Sequence, residues 1–275
     1  MRRQFLLASV GALALTGSAF AAEPLPPPPP PVPIFTWTGL YAGLQVGYAW
    51  DNDPVTVTNA GPSVSPPDPS TFFFSDTLSE NPSGVIGGAH LGYNKQFDNW
   101  LLGRNWVIGL EGTVDGTSIS TTRFSPFGFT SALGLGNVPI LGSFNTSSAV
   151  QGSIRARVGI AFDRVLLYAT GGAAFAGIEK SYTTSVPAFD TESITQTRSG
   201  WTVGGGLEYA VTNNWSIRAE YRYSDFGHLI DYPFAVFISP FGLLSVQHHL
   251  TQNQVQFGIS YKFDTMAPVP VVAKY

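Results

Sequence analysis

From Val150 to Phe162 the chain alternates strictly. Val150, Gly152, Ile154, Ala156, Val158, Ile160 and Phe162 occupy every second position, and Gln151, Ser153, Arg155 and Arg157 stand between them. A period of two is the pattern of a β-strand with two unlike faces. A strand of a soluble sandwich buries its apolar face and wets the other, whereas a strand of a lipid-embedded barrel does the reverse. The fold therefore turns on which side of this strand is outside.

The pattern recurs along the chain. In 39–50, Leu40, Ala42, Leu44, Val46, Tyr48 and Trp50 oppose Tyr41, Gln45 and three glycines; in 84–97, Val85, Ala89, Leu91 and Tyr93 oppose His90 and Asn94. The stretch 106–116 sets Trp106, Ile108, Leu110 and Val114 against Glu111, Thr113 and Asp115, and 200–211 sets Trp201, Val203, Leu207 and Tyr209 against Thr202 and Glu208. Two more follow: Ile217, Ala219, Tyr221 and Tyr223 against Arg218, Glu220 and Arg222, then Val255, Phe257, Ile259 and Tyr261 against Gln254, Gln256 and Lys262. With Val165–Gly177, the least regular because Leu166, Leu167 and Tyr168 are consecutive, eight segments of about 11 to 14 residues result. Each is long enough to cross a bilayer as a tilted strand, which takes about 9–11 residues.

The connections alternate in length. Asp163-Arg164, Thr212–Asn214 and the somewhat longer Asp98–Asn105 are tight turns, while the other four are long. This is the plan of an all-β, eight-stranded antiparallel transmembrane β-barrel with short periplasmic turns and four long extracellular loops. Trp37, Phe97, Trp100, Trp106, Phe162, Trp215 and Phe263 gather near the short-turn ends, where a membrane-interface girdle is expected.

The beginning of the chain agrees with that placement. Arg2 and Arg3, an apolar run from Phe5 to Leu15 and the small residues around Phe20 predict a signal peptide over 1–21. Residues 22–34 form a proline-rich periplasmic spacer, either a stiff polyproline II segment or a docking site for the cell wall or another partner. The barrel spans 35–263 and a periplasmic tail spans 264–275. With no cysteine, disulfides play no part, and a net charge of −4 with only 12% charged residues offers no footprint for nucleic acid.

With lipid outside, the charged faces turn inward. Arg155, Arg157, Arg218, Arg222 and Lys262 then share a lumen with Glu111, Asp115, Glu208 and Glu220. An eight-stranded barrel is only wide enough for side chains to fill it, and unpaired buried charges are costly, so these groups are expected to form an ion network that plugs the lumen. On the lipid face, arginine at Ile154 or Ile217 is expected to be costly, and changes at Ser153 or Ser216 mild. Catalysis is not expected: there is no G-x-S-x-G elbow, His90 is alone on its face, and His248 and His249 point to opposite faces. No metal site or cofactor is expected either.

The proline-rich start and the stretches WTGLYAGLQVGYAW, GVIGGAHLGYN, RARVGIAFDRVLLYATGGAAF, GWTVGGGLEYA, NWSIRAEYRYSDFG and VQFGISYKF resemble the small OmpA-like outer-membrane proteins of rhizobia and brucellae, the RopB type. The resemblance implies an abundant protein of the cell outer membrane, surrounded by lipid and lipopolysaccharide, inserted by the barrel-assembly machinery and concerned with envelope integrity or host-surface contact. Its porin heading leaves a narrow diffusion pore as the alternative to a structural role, with a loop-borne adhesin or receptor as a third. One departure is the tail after Phe263: either Phe263 is an internal assembly signal or Tyr275 replaces it. Another is the greasy outer loops, including Phe72–Phe74, Phe124, Phe127, Phe129, Phe237 and Phe241, which either pack on one another or form an adhesive surface.

Overall fold

The computed structural model describes residues 35–62, 71–129, 139–184, 191–232 and 243–263. The expected signal peptide, spacer and C-terminal tail lie outside the described residues. Nine strands run in sequence: β1 (Gly39–Pro62), β2 (Thr71–Glu80), β3 (Ser83–Leu101), β4 (Arg104–Phe129), β5 (Pro139–Phe162), β6 (Val165–Thr184), β7 (Glu192–Ala210), β8 (Trp215–Asp231) and β9 (Leu243–Lys262). All pairings are antiparallel, and β1 meets β9 from Tyr41↔Lys262 upward, which closes the ring. The ring has eight positions, because β2 and β3 both lie against β1 and together make its second strand, broken at Asn81-Pro82.

The lipid-facing assignment follows the alternation. Leu44, Val114, Ile154 and Phe257 are 62%, 65%, 64% and 61% exposed, while Gln45, Asp115, Arg155 and Gln256 beside them on the other face are buried. The irregular run in β6 obeys the same rule. Leu167 faces out, and Leu166 and Tyr168 face in, because the periplasmic end of the lumen is itself apolar, filled by Trp37, Val107, Ala161, Leu166, Tyr168 and Ala210.

One periplasmic turn is tighter than the sequence suggested. In place of a loop over 98–105, the chain reverses at Leu102-Gly103, whose φ values of 56° and 64° are those of a primed two-residue hairpin. Aromatic girdles bound the membrane band. Trp100, Phe162, Trp215 and Phe263 are exposed at the periplasmic end and Trp106 is half-buried, its indole donating to the Leu101 carbonyl at 3.0 Å. At the outer end Trp201 lies tilted against Tyr223, with ring centroids 5.5 Å apart, and Tyr48 lies near Trp50. From Trp215 to Tyr223 the strand climbs about 26 Å, or about 20 Å across the membrane at a tilt of about 40°.

The strands do not stop there. They reach 26 residues in β4 and 24 in β5, against the 11 to 14 expected, because residues counted as loop continue the pairing, for example Thr121↔Thr146 to Phe129↔Pro139. Register shifts at Gly116/Ile119, Ser148/Val150 and Asp225/Gly227 fall at one level, since Ile119, Ser148, Ile178 and Phe226 line the same small cavity. Beyond this belt of bulges the ring splits. Among the described residues, β2 pairs only with β1, and β7 meets β8 only from Trp201↔Asp225 inward. The outer part is therefore two four-stranded leaves, β8-β9-β1-β2 and β4-β5-β6-β7.

Candidate functional site

The lumen is where the strands converge their chemistry. Inward-facing residues recur at every second position, so β4, β5, β7 and β8 each deliver carboxylates or guanidinium groups at the same height. Arg155 donates from Nη2 to Glu111 Oε1 and from Nη1 to Glu220 Oε1, both at 2.5 Å. Arg218 donates to the other Glu111 oxygen at 2.5 Å and to Gln45 Oε1 at 2.6 Å. Arg222 donates to Glu220 at 2.9 Å and lies 3.9 Å from Asp115, whose Oδ1 accepts from Gln45 Nε2 at 2.6 Å. Arg157 pairs with Glu208, and Glu208 also accepts from the Ser216 hydroxyl at 2.5 Å. Every one of these charged side chains is at most 4% exposed.

Two tyrosines pin the centre. Tyr41 donates to Glu111 and Tyr168 to Glu220, each at 2.9 Å, and the Arg157 guanidinium lies 3.6 Å from the centre of the Tyr168 ring. Each ring lies over a glycine on the neighbouring strand. Tyr41 is paired with Gly92 and Tyr168 with Gly206, where an added Cβ would come within 2.4 Å and 2.5 Å of the phenol oxygens. Only a residue without a side chain leaves room for those phenols. His90 bridges Gln45 Oε1 at 3.1 Å and Ser260 at 2.9 Å, so its Nδ1–H donates and its Nε2 accepts.

Four arginines thus meet four carboxylates, and the charges balance. The sequence reading included a fifth cation, but Lys262 is not part of this network. It is half-buried at the periplasmic mouth, where its ammonium donates to the Thr36 carbonyl and lies 4.7 Å from the Phe35 ring. Its stem passes over Gly39, which steers it toward the mouth instead of the centre. Trp37 also departs from the expected placement. It is not in the lipid-facing girdle but 5% exposed inside the mouth, its indole donating to the Asp163 carbonyl at 3.1 Å. Trp37 precedes β1, so no strand alternation fixes its side, and the apolar floor of the lumen takes it in.

Above the ions lies a layer of amides, with Gln254 donating to Gln151 at 3.1 Å, and above that an apolar layer of Ala174, Ala176, Ile178, Phe226 and Leu250. A second polar group follows in the outer leaves: Tyr182 donates to Asp231 at 3.0 Å and Lys180 lies 3.7 Å from the same carboxylate. Tyr41, Gln45, His90, Gln254 and Gln256 were already on the inward face by parity, but Tyr168, Lys180, Tyr182 and Asp231 lay outside the clean alternation. Cavities below and above the ion network, lined by Trp37, Asn94 and Glu208 and by Ile119, Gln151 and Gln252, each hold about 20 Å³, room for about one water.

This architecture has known counterparts. A model of the outer membrane protein beta-barrel domain matches residues 7–263. The 31 kDa outer-membrane immunogenic protein of Brucella melitensis is 29% identical over 95% of this chain and 100% of its own length. The 25 kDa outer-membrane immunogenic protein of Brucella abortus is 30% identical over 95% and 98%, and the 22 kDa outer membrane protein of Rhizobium leguminosarum 36% identical over 41% and 46%. Among solved structures, Neisserial surface protein A aligns at TM-score 0.38 and 15% identity over 82% of this chain and 98% of its own. Ail of Yersinia pestis aligns at 0.34 and 16% over 82% and 99%. The ring of strands and the family match together make this chain a member of the outer membrane protein beta-barrel domain family, resident in the outer membrane.

Proposed function

We propose that the protein is a structural, non-enzymatic barrel of the outer membrane whose lumen carries no traffic and whose outer leaves form its working surface. The observation that supports this most is the burial of Arg155 and Arg157, 0% and 1% exposed at the centre of the ring, each clamped to carboxylates from other strands. Side chains that fill an eight-stranded interior and bond one another across it leave no continuous wet path. The closed lumen makes the wall rigid and turns function outward, to lipid and lipopolysaccharide around the band and to whatever meets the leaves above it. The Brucella relatives are named as immunogenic outer-membrane proteins, which accords with a protein displayed at the cell surface. Phe263, exposed beside Tyr261 with ring centroids 5.2 Å apart, is the aromatic end we assign as the signal read during insertion.

Planar-bilayer recording tests the plug. The purified barrel is expected to show no stable conductance at neutral pH. A steady, reproducible single-channel current from the unmodified chain would overturn the closed lumen and establish a narrow diffusion pore instead.

A further inference from the structure

On the outside of the leaf β8-β9-β1-β2, one step beyond the outer girdle, two imidazoles face each other. His228 and His249 are direct cross-strand partners on β8 and β9, and their rings are stacked with centroids 4.2 Å apart and planes 20° from parallel. Asp225 joins them: its Oδ1 lies 3.6 Å from His249 Nε2. Residues three apart on a regular strand fall on opposite faces, so Asp225 and His228 should not be neighbours. The bulge between Asp225 and Gly227 supplies the extra residue that resets the alternation. Gly227 takes φ +79°, its N–H donates to Asp225 Oδ1 at 2.7 Å, and Phe226 turns inward while Asp225 and His228 both turn out.

We propose that His228 and His249 form a binding site for a divalent transition metal on the outer face of the barrel, with Asp225 orienting the His249 imidazole. Cross-strand partners stand at the spacing at which two imidazoles can share one ion, each giving one nitrogen at about 2.0–2.1 Å. Imidazole nitrogens favour copper, zinc and nickel over the hard cations calcium and magnesium. A ligating histidine characteristically donates its other ring N–H to a carboxylate, and Asp225 Oδ1, 3.6 Å from His249 Nε2, comes within hydrogen-bond reach of it by a small rotation of the ring. Among the described residues no three such side chains already converge as a metal centre. The site is therefore a two-histidine chelate completed by water, formed when the stacked rings rotate toward a common ion. His228 is exposed and His249 is 37% exposed, so both can turn without disturbing the lumen. A bound ion would staple β8 to β9 at the point where the register shifts and the leaves begin.

The test uses the full chain refolded in detergent, titrated with Cu²⁺ and separately with Zn²⁺ by calorimetry. One equivalent is expected to bind, with the copper resonance spectrum split by two imidazole nitrogens. His228→Ala and His249→Ala should each abolish stoichiometric binding, and Asp225→Asn should weaken it by about tenfold or more. The heat-dependent gel shift of a folded barrel reports whether each variant folds; should an alanine variant fail, His228→Asn or His249→Asn replaces it. No stoichiometric binding by the unmodified chain, or an equivalent retained when both histidines are replaced, would overturn the site. An affinity unchanged in Asp225→Asn would remove the carboxylate from it.

Discussion

The membrane ring and the outer leaves are built from the same strands, yet they obey different rules. In the ring every strand has a backbone partner on both sides, its outer face meets lipid, and its inner face meets a balanced set of ions. In the leaves β2 and β7 are edge strands, and the inward face, still buried at Tyr182, Asp231 and His248, is only half-buried along the outer half of β7. Along β8 from Trp215 to Tyr223 every second residue is buried and those between are exposed or half-buried, whereas along the outer half of β7, Glu192–Gly200, none is buried and the chain alternates between half-buried and exposed. The edge of β7 in that stretch is rich in serine and threonine and almost free of large apolar residues, which suits an unpaired edge in water. Closure and contrast between two solvents stabilise the ring; the leaves persist by continuing its hydrogen-bond ladders.

If that contrast is right, the largest loss comes from the centre of the ring. Replacing both Arg155 and Arg157 by Met leaves the buried Glu111, Glu208 and Glu220 short of partners. Breaking one buried pair costs about 3–5 kcal/mol, so the double variant is expected to lose more than about 5 kcal/mol. Urea unfolding in lipid vesicles, followed by tryptophan fluorescence, measures it. An unchanged midpoint would mean that the interior is hydrated and the ring is not what distinguishes the two regions.

The outer wall of the ring gives the next largest effect. Ile154→Arg and Ile217→Arg put a cation on the lipid face near mid-membrane and should each cost about 2–4 kcal/mol. On the inner face Ser153→Ala, which removes one bond to Thr113 at 2.8 Å, should cost about 1 kcal/mol. Ser216→Ala is not the mild change that alternation alone suggested, because its hydroxyl donates to the buried Glu208 carboxylate; about 1.5–3 kcal/mol is expected. Equal costs for arginine at Ile154 and at an exposed position of the leaves, such as Thr197, would erase the distinction between lipid-facing and water-facing wall.

These outcomes bear on what could be read from the chain. The ring was legible because lipid and ions impose opposite demands on the two faces, so Ile154 and Arg155 declare their sides without any knowledge of partners. The pairing of Arg155 with both Glu111 and Glu220 was not legible, since parity fixes a residue's face and not its height around the ring. Trp37 and Lys262 were misplaced for related reasons: one precedes the first strand, and the other sits where a strand ends, so its flexible stem decides where the charge goes. The leaves were read as loops because Ser118–Ser125 is polar at nearly every position, and without two different solvents the period of two disappears from the sequence while the hydrogen-bond ladder continues. The bulges that separate the regions left only the faint mark of Gly227.

At the boundary itself the expected effect is intermediate. Gly227 holds φ +79°, a conformation that costs other residues about 1–2 kcal/mol, and nothing lies within 4 Å of where a Cβ would be. Gly227→Ala should therefore destabilise by about that amount through backbone strain alone. Removing the bulge's extra residue should move His228 out of register with His249. Hydrogen exchange is expected to localise the Gly227→Ala change to β8 and β9 beyond Tyr223; a change spread through the whole ring would mean that the boundary does not insulate the two regions.

The smallest effect should come from removing part of a leaf outright. Thr122 and Asn145 are cross-strand partners on β4 and β5, so residues 123–144 can be replaced by an Asn-Gly turn that closes the hairpin at that rung. Among its described residues the excised segment supplies no side chain to the ion network, the amide layer or either girdle; it pairs with β6 only over Gly142–Phe144, and its outermost ladder joins β4 to β5. Shortening the connection also lowers the entropy cost of closing it, which offsets part of the lost pairing. The unfolding free energy is expected to change by less than about 1 kcal/mol, the cost of fewer than about two loop-closure doublings. The gel shift of the folded barrel should be retained and the bilayer should remain silent. A loss comparable to that of the arginine pair would show that the leaves hold the ring together, and a current appearing in the trimmed barrel would show that they, and not the ions, close it.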